Sequence, residues 1–125
     1  MIVLSKEQIK RLHQKMLEAT GGSDGIREEM LLDSALSASF QTFDGRELYP
    51  STVAKIARIT CDIIRNHPFV DGNKRTGIYV MMILLELNDI QTAFTDDDII
   101  RIGLDIADGK MDDKQLLDLI LNRNF

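Results

Sequence analysis

Residues 77–88 constrain the fold of this chain more than any other stretch. Ile78, Val80, Met81, Met82, Ile83, Leu84, Leu85 and Leu87 leave almost no polar face at a helical repeat. A helix apolar on nearly every side is stable when other helices surround it. The segment is therefore expected at the centre of an all-α domain, its methionines acting as core filler. At 78–87 the apolar run is about half the roughly 20 residues a membrane span requires, so no membrane is expected as a partner.

The remaining segments supply the covering helices. Ser5 and Gln8 form a capping box ahead of a stripe of Ile9, Leu12, Met16 and Ala19, and Gly21-Gly22 ends it. His13 lies beside that stripe with no partner at i+4 and reads as a surface or structural residue. Met30, Leu31, Leu32, Ala35 and Leu36 suggest a second helix over 27–37, and Ser51 opens a third carrying Val53, Ile56, Ala57, Thr60, Ile63 and Ile64. Pro68 forces His67 out of helical geometry, so that third helix should stop near Asn66. Thr95 caps a helix with Ile99, Ile100, Ile102 and Ile106. Asp96, Asp97 and Asp98 are acids favoured by its dipole, not a metal cluster. Asp112 and Gln115 open a last helix with Leu116, Leu117, Leu119 and Ile120. Between the second and third helices, Phe40, Phe43 and Tyr49 flank Asp44-Gly45, a dipeptide suited to a tight hairpin, and Pro50 closes the unit. Six helices, one hairpin and no strand-helix alternation predict a compact all-α bundle. With 125 residues, a single domain over 1–125 is expected.

Directly before the apolar run stands the densest polar stretch of the chain: His67, Pro68, Phe69, Val70, Asp71, Gly72, Asn73, Lys74, Arg75 and Thr76. It reads as a loop delivered onto a helix N-terminus, where unpaired N–H groups and the dipole favour an anion. Gly72 permits a tight turn or close approach of a ligand. Lys74 adds a mobile point charge and Arg75 a two-pronged donor to phosphate oxygens. Asp71, an anion within a phosphate site, makes sense chiefly as the holder of a divalent cation such as magnesium. His67 is the group able to accept a proton near neutral pH, as a general base must. The structural alternative is a solvated inter-helix loop in which the histidine is a cap.

Composition narrows the partners. A net charge of −5 argues against non-specific nucleic-acid binding. Cys61 is the single cysteine, lies in an apolar helical pattern and reads as core packing in a reducing compartment. Residues 1–4 are too short for the apolar core of an export signal, which gives a cytoplasmic location as the expectation. The 72–76 stretch is not a P-loop, since no glycine stands at the required upstream spacing and Lys74 is not followed by Ser or Thr.

The 67–76 stretch resembles the signature loop of the Fic/Doc superfamily: a His, a Phe two on, an acid two further, then small-Asn-x-Arg. Lys74 where adenylylating members carry Gly, and Ile78 where they carry a second Arg, resemble the death-on-curing (Doc) toxin branch, whereas Gly72 resembles the adenylylating Fic branch. Gly25-Ile26-Arg27 with the 31–36 segment is similar to the second helix of Doc-like proteins. The resemblance implies an Mg-ATP-dependent protein kinase of a type II toxin-antitoxin system, which moves the γ-phosphate of ATP to elongation factor Tu and blocks translation. Its alternatives are a protein adenylyltransferase and a catalytically silent nucleotide- or partner-binding module. Carried over, His67 is the catalytic base and Asp71 the Mg2+ ligand. Gly72, Asn73, Lys74 and Arg75 hold phosphate, and Phe69 anchors the loop. The hairpin, with Phe43, Asp44, Gly45, Leu48 and Tyr49, becomes a flap beside the target groove. No inhibitory Ser/Thr-x-x-x-Glu-Gly/Asn motif is present, so the implied restraint is an antitoxin whose tail folds on binding an apolar groove.

Overall fold

The computed structural model describes residues 1–122, so the last three residues of the expected 1–125 domain lie outside the described residues. In chain order the elements are α1 (Lys6–Thr20), α2 (Glu29–Ala38), β1 (Thr42–Phe43), β2 (Arg46–Glu47), α3 (Thr52–Asn66), α4 (Asn73–Leu87), α5 (Asp96–Ala107) and α6 (Asp113–Asn122). This is the all-α bundle with a small hairpin that the periodicity implies. Local chemistry sets the helix starts. The Ser5 hydroxyl accepts from the Gln8 N–H at 3.1 Å while the Gln8 side chain accepts from the Ser5 N–H at 2.8 Å. Thr95 with Asp98, and Asp112 with Gln115, repeat the same reciprocal box.

The centre of the bundle is α3 rather than the apolar run. Ten of its 15 residues are buried, and α2, α4, α5 and α6 all pack on it. By contrast α4 buries Gly77, Val80, Met81, Leu84 and Leu85 but leaves Tyr79 46% and Leu87 40% exposed, with Met82 and Ile83 half-buried. Helices α1 and α5 flank α4 without closing over its outer edge. The all-round apolar sequence therefore marks two functions of one helix, a core face against α3 and an uncovered apolar strip.

Contact between α3 and α4 is close because Gly77 has no side chain. A Cβ there would lie 2.5 Å from Cγ1 of Ile64 and 3.4 Å from the Thr60 carbonyl oxygen, and Ile64 is itself fully buried. Gly77→Ala gains about 1 kcal/mol of helix propensity, but forcing a methyl into a filled interface costs about 1–3 kcal/mol. The clash should win, lowering the melting temperature in a thermal scan. An unchanged or raised melting temperature would mean that the two helices separate at little cost.

The hairpin pairs Thr42 with Glu47 and Phe43 with Arg46. Its turn residues Asp44 and Gly45 both take positive φ, 52° and 76°, the primed geometry that matches strand twist. Two cations of α3 hold it. The Lys55 ammonium, buried in the bundle, bonds Glu47 at 3.0 Å and the Tyr49 carbonyl and lies 5.4 Å over the Phe40 ring. Arg58 bonds the Tyr49 hydroxyl and Asp62 and sits 5.2 Å from the Tyr49 ring. Phe43 at the tip stays 74% exposed.

Candidate active site

His67 ends α3 in the left-handed region at φ 53°, ψ 62°, a conformation sparse for residues with a Cβ but several-fold enriched in histidine. Arg27 fixes it there. Its Nε donates to the His67 carbonyl at 2.7 Å and its Nη2 to the Asn66 carbonyl at 2.6 Å, capping the helix C-terminus. The backbone before α2 adds to this clamp: the N–H groups of Arg27 and Glu28 both donate to the Pro68 carbonyl, Val70 donates to the Gly25 carbonyl, and Ile26 bridges Phe69. Those bonds hold 25–28 extended, which is why α2 begins at Glu29 rather than at residue 27 as its periodicity suggests. The His67 side chain is exposed.

The loop then turns inward. Phe69 is 1% exposed, and its N–H and C=O are bridged at 3.0 Å each by the Asn73 side-chain amide. Asn73, expected among the phosphate holders, is thus committed to the shape of the loop. Gly72 takes φ 77° as the N-cap of α4 and offers no side-chain cap, so Asn73, Lys74 and Arg75 form the first turn of the helix rather than part of the loop. A Cβ at Gly72 would fall 2.6 Å from the Met16 side chain of α1.

Asp71 points its carboxylate outward. One oxygen accepts from the Gly72 N–H at 2.8 Å and the other from the Ser23 N–H at 3.0 Å. The Ser23 N–H, then the Gly72 N–H, and after them the charge of Arg75 hold this carboxyl below the usual carboxylate range. It is therefore an anion at neutral pH, with lone pairs left on both oxygens. Such a hard oxygen donor suits magnesium, which takes one or two carboxylates and completes its shell with phosphate oxygens and water. Among the described residues no three His, Cys, Asp or Glu side chains cluster as a ready-made metal cage.

Arg75 reaches across to the C-terminal end of α1, donating to the Thr20 hydroxyl at 2.5 Å and the Gly21 carbonyl at 3.3 Å. The position a Cβ would take on Gly22 lies 2.8 Å from Asp71 Oδ2 and 3.3 Å from Arg75 Nη2. The 20–23 segment therefore brings the acid and the guanidinium together at one point. On the other side of α4, Lys74 and Arg75 line a cavity of about 300 Å³ whose remaining walls are Ile78, Tyr79, Ile99, Ile100, Gly103 and Leu104. His67 and Asp71 lie outside that lining. Among the described residues no hydrogen bond joins the hairpin to the 67–76 loop, and its anchors Lys55 and Arg58 sit on α3 about 14–18 Å before His67 along the axis.

Three contributors were not visible as site residues in the sequence: His13, Arg27 and the 20–23 segment. His13 shares a face with Ile9 and Met16 at i−4 and i+3, and that spacing is the signal that identifies it. Cys61 is buried, and burial pushes its thiol up to about 12, which fits packing rather than nucleophilic chemistry.

A sequence model of the Fic/DOC family matches residues 3–85. Toxin Doc of Mycolicibacterium smegmatis is 37% identical over 75 residues, covering 60% of this chain. The match spans 58% of that relative's own length.

Proposed function

The chain belongs to the Fic/DOC family, and from that premise we propose that it is a Doc-like toxin which transfers the γ-phosphate of ATP to a hydroxyl of a target protein. The observation that carries this reading is the opening of α4. An uncapped helix N-terminus, with Lys74 and Arg75 in its first turn, adjoins both an apolar cavity and an ionised Asp71. That combination suits a nucleotide, with phosphates on the cations and N–H groups and the base in the cavity. The relative named Toxin Doc supports a toxin, and the target proposed with it is elongation factor Tu in the bacterial cytoplasm, with translation as the process blocked. Residues 1–125 are proposed to form one Fic/Doc domain. Among the described residues no helix is long and apolar enough to cross a membrane.

In this reading the target hydroxyl gives its proton to the His67 imidazole as its oxygen bonds to the γ-phosphorus. The bond from that phosphorus to the bridging oxygen breaks and ADP leaves. Arg27 keeps the imidazole at the end of α3 by holding its backbone. Lys74, Arg75 and the N–H groups of the first turn of α4 take up the charge on the phosphates. Asp71 holds Mg2+, which when bound supplies neutralising charge to the phosphoryl group. Gly72 lets the phosphates approach the backbone, while Asn73 and Phe69 keep the loop in shape. Phe43, Asp44, Gly45, Leu48 and Tyr49 form the flap, whose exposed edge is free to pair with an extended target. The bulk of Lys74, where adenylylating relatives carry Gly, favours a pose that exposes the γ-phosphate.

The partner is an antitoxin with a tail that folds on binding. Its place is the uncovered strip of α4, where Tyr79, Ile83 and Leu87 recur at helical spacing. Lys74 and Arg75 stand at one end, and Arg11 and Lys15 of α1 border Ile83, so an acidic amphipathic helix fits best.

Incubation of the protein with a bacterial lysate and ATP labelled at either the α or the γ position tests the assignment. Label should reach a protein from the γ position only. Transfer from the α position would assign adenylyl transfer instead. Absence of labelling, alongside stabilisation by magnesium-ATP in a thermal-shift assay, would leave a binding module.

A further inference from the structure

His13 takes no part in the proposed phosphate transfer, yet its imidazole is only 3% exposed and touches the loop twice. Its Nε2 lies 2.8 Å from the Asp71 carbonyl oxygen, and its ring stacks on Phe69 with centroids 3.9 Å apart and planes 8° from parallel. A carbonyl only accepts, so Nε2 carries the proton and donates it. We propose that His13 is a positioning residue for the Asp71 carboxylate, acting through the Asp71–Gly72 peptide. This rests on the reading of Asp71 as the magnesium ligand.

The transmission is geometric. A peptide unit is planar and trans, so its C=O and N–H point in opposite directions. With the carbonyl oxygen held on the buried side by His13, the Gly72 N–H is aimed outward, where it donates to Asp71 Oδ1 at 2.8 Å. Ser23 donates to the other oxygen at 3.0 Å, and the two bonds together fix the rotation of the carboxylate. The Phe69 stack removes the freedom of the imidazole to swing, and Asn73 in turn holds Phe69. Gly72, at φ 77°, has few conformational restraints of its own, so the plane before it needs an external hold. His13 supplies it from α1.

Two substitutions separate the donor from the stack. His13→Gln keeps an N–H near the Nε2 position and loses the ring, whereas His13→Phe keeps the ring and loses the donor. Binding of ATP by calorimetry, with and without Mg2+, is the first readout. His13→Phe should weaken the magnesium-dependent part of ATP binding about tenfold, the scale for a partner that orients a metal ligand. ATP binding without metal should stay unchanged, and His13→Gln should recover most of the loss. Equal magnesium dependence in wild type and His13→Phe, or no recovery by His13→Gln, would overturn the proposal. The second readout needs no ligand: amide hydrogen exchange of Gly72 and Ser23 should accelerate in His13→Phe and not in His13→Gln. It decides the positioning role even if wild type binds no magnesium-ATP, a result that would remove the kinase reading by itself. Should His13→Phe fail to fold, a long-range proton–nitrogen spectrum of wild type still decides, because a proton on Nδ1 alone would exclude the donation.

Discussion

His67→Asn should lower phosphate transfer by about 100- to 10,000-fold, the usual contribution of a positioned general base, while leaving magnesium-ATP binding and the melting temperature unchanged. Asparagine is the better replacement than alanine because His67 sits at φ 53°, where a plain Cβ is strained and asparagine is among the residues that tolerate the conformation. The substitution thus removes the proposed base and keeps the turn. Arg27 continues to hold the backbone carbonyls of residues 66 and 67, and the exposed side chain contributes nothing to the core. Initial rates at saturating ATP, paired with calorimetry, separate the two effects. A variant that transfers phosphate at even a tenth of the wild-type rate would dismiss His67 as the base. A variant that loses nucleotide affinity in parallel would make the imidazole a binding group.

Periodicity and capping residues announce most of the fold. Helix α3 runs over Thr52–Asn66, because Ser51 and Pro68 punctuate it on both sides. Three capping boxes sit where Ser5, Thr95 and Asp112 place them. What escaped the sequence depends on contacts between segments far apart in the chain. The buried face of α1 is Ile9, His13, Met16 and Leu17, rotated from the stripe of Ile9, Leu12, Met16 and Ala19, because a polar imidazole can be buried once a carbonyl and a ring meet it. Likewise α4 looks central from its own residues. Its partial exposure is decided by α1 and α5, which stop short of Tyr79 and Leu87. Ten contiguous residues in the loop pointed to phosphate chemistry by type. The groups that orient them, His13, Arg27 and Ser23, lie roughly 40–60 positions away in the chain and carry no local mark.

Phe69→Ala should cost about 3–5 kcal/mol, the range for emptying a fully buried aromatic site. Against a typical domain stability of about 5–15 kcal/mol, that is a large share for one residue of a loop. The ring fills a site between α1 and the loop, stacked on His13. Its own backbone is tied to Asn73 and faces Ile26, so the surroundings have little freedom to collapse into the void. Phe69→Leu keeps most of the apolar volume and gives up the stack, which is worth about 0.5–1.5 kcal/mol beyond area burial, so its loss should be near 1–2 kcal/mol. Urea denaturation distinguishes the two: the midpoint should fall in that order with the slope unchanged. If alanine cost less than leucine, the ring would be a passenger rather than the anchor of the loop. If the slope changed instead of the midpoint, the substitution would be acting on the unfolded chain, and the packing of α1 against the 67–76 loop would need another source than this pair of rings.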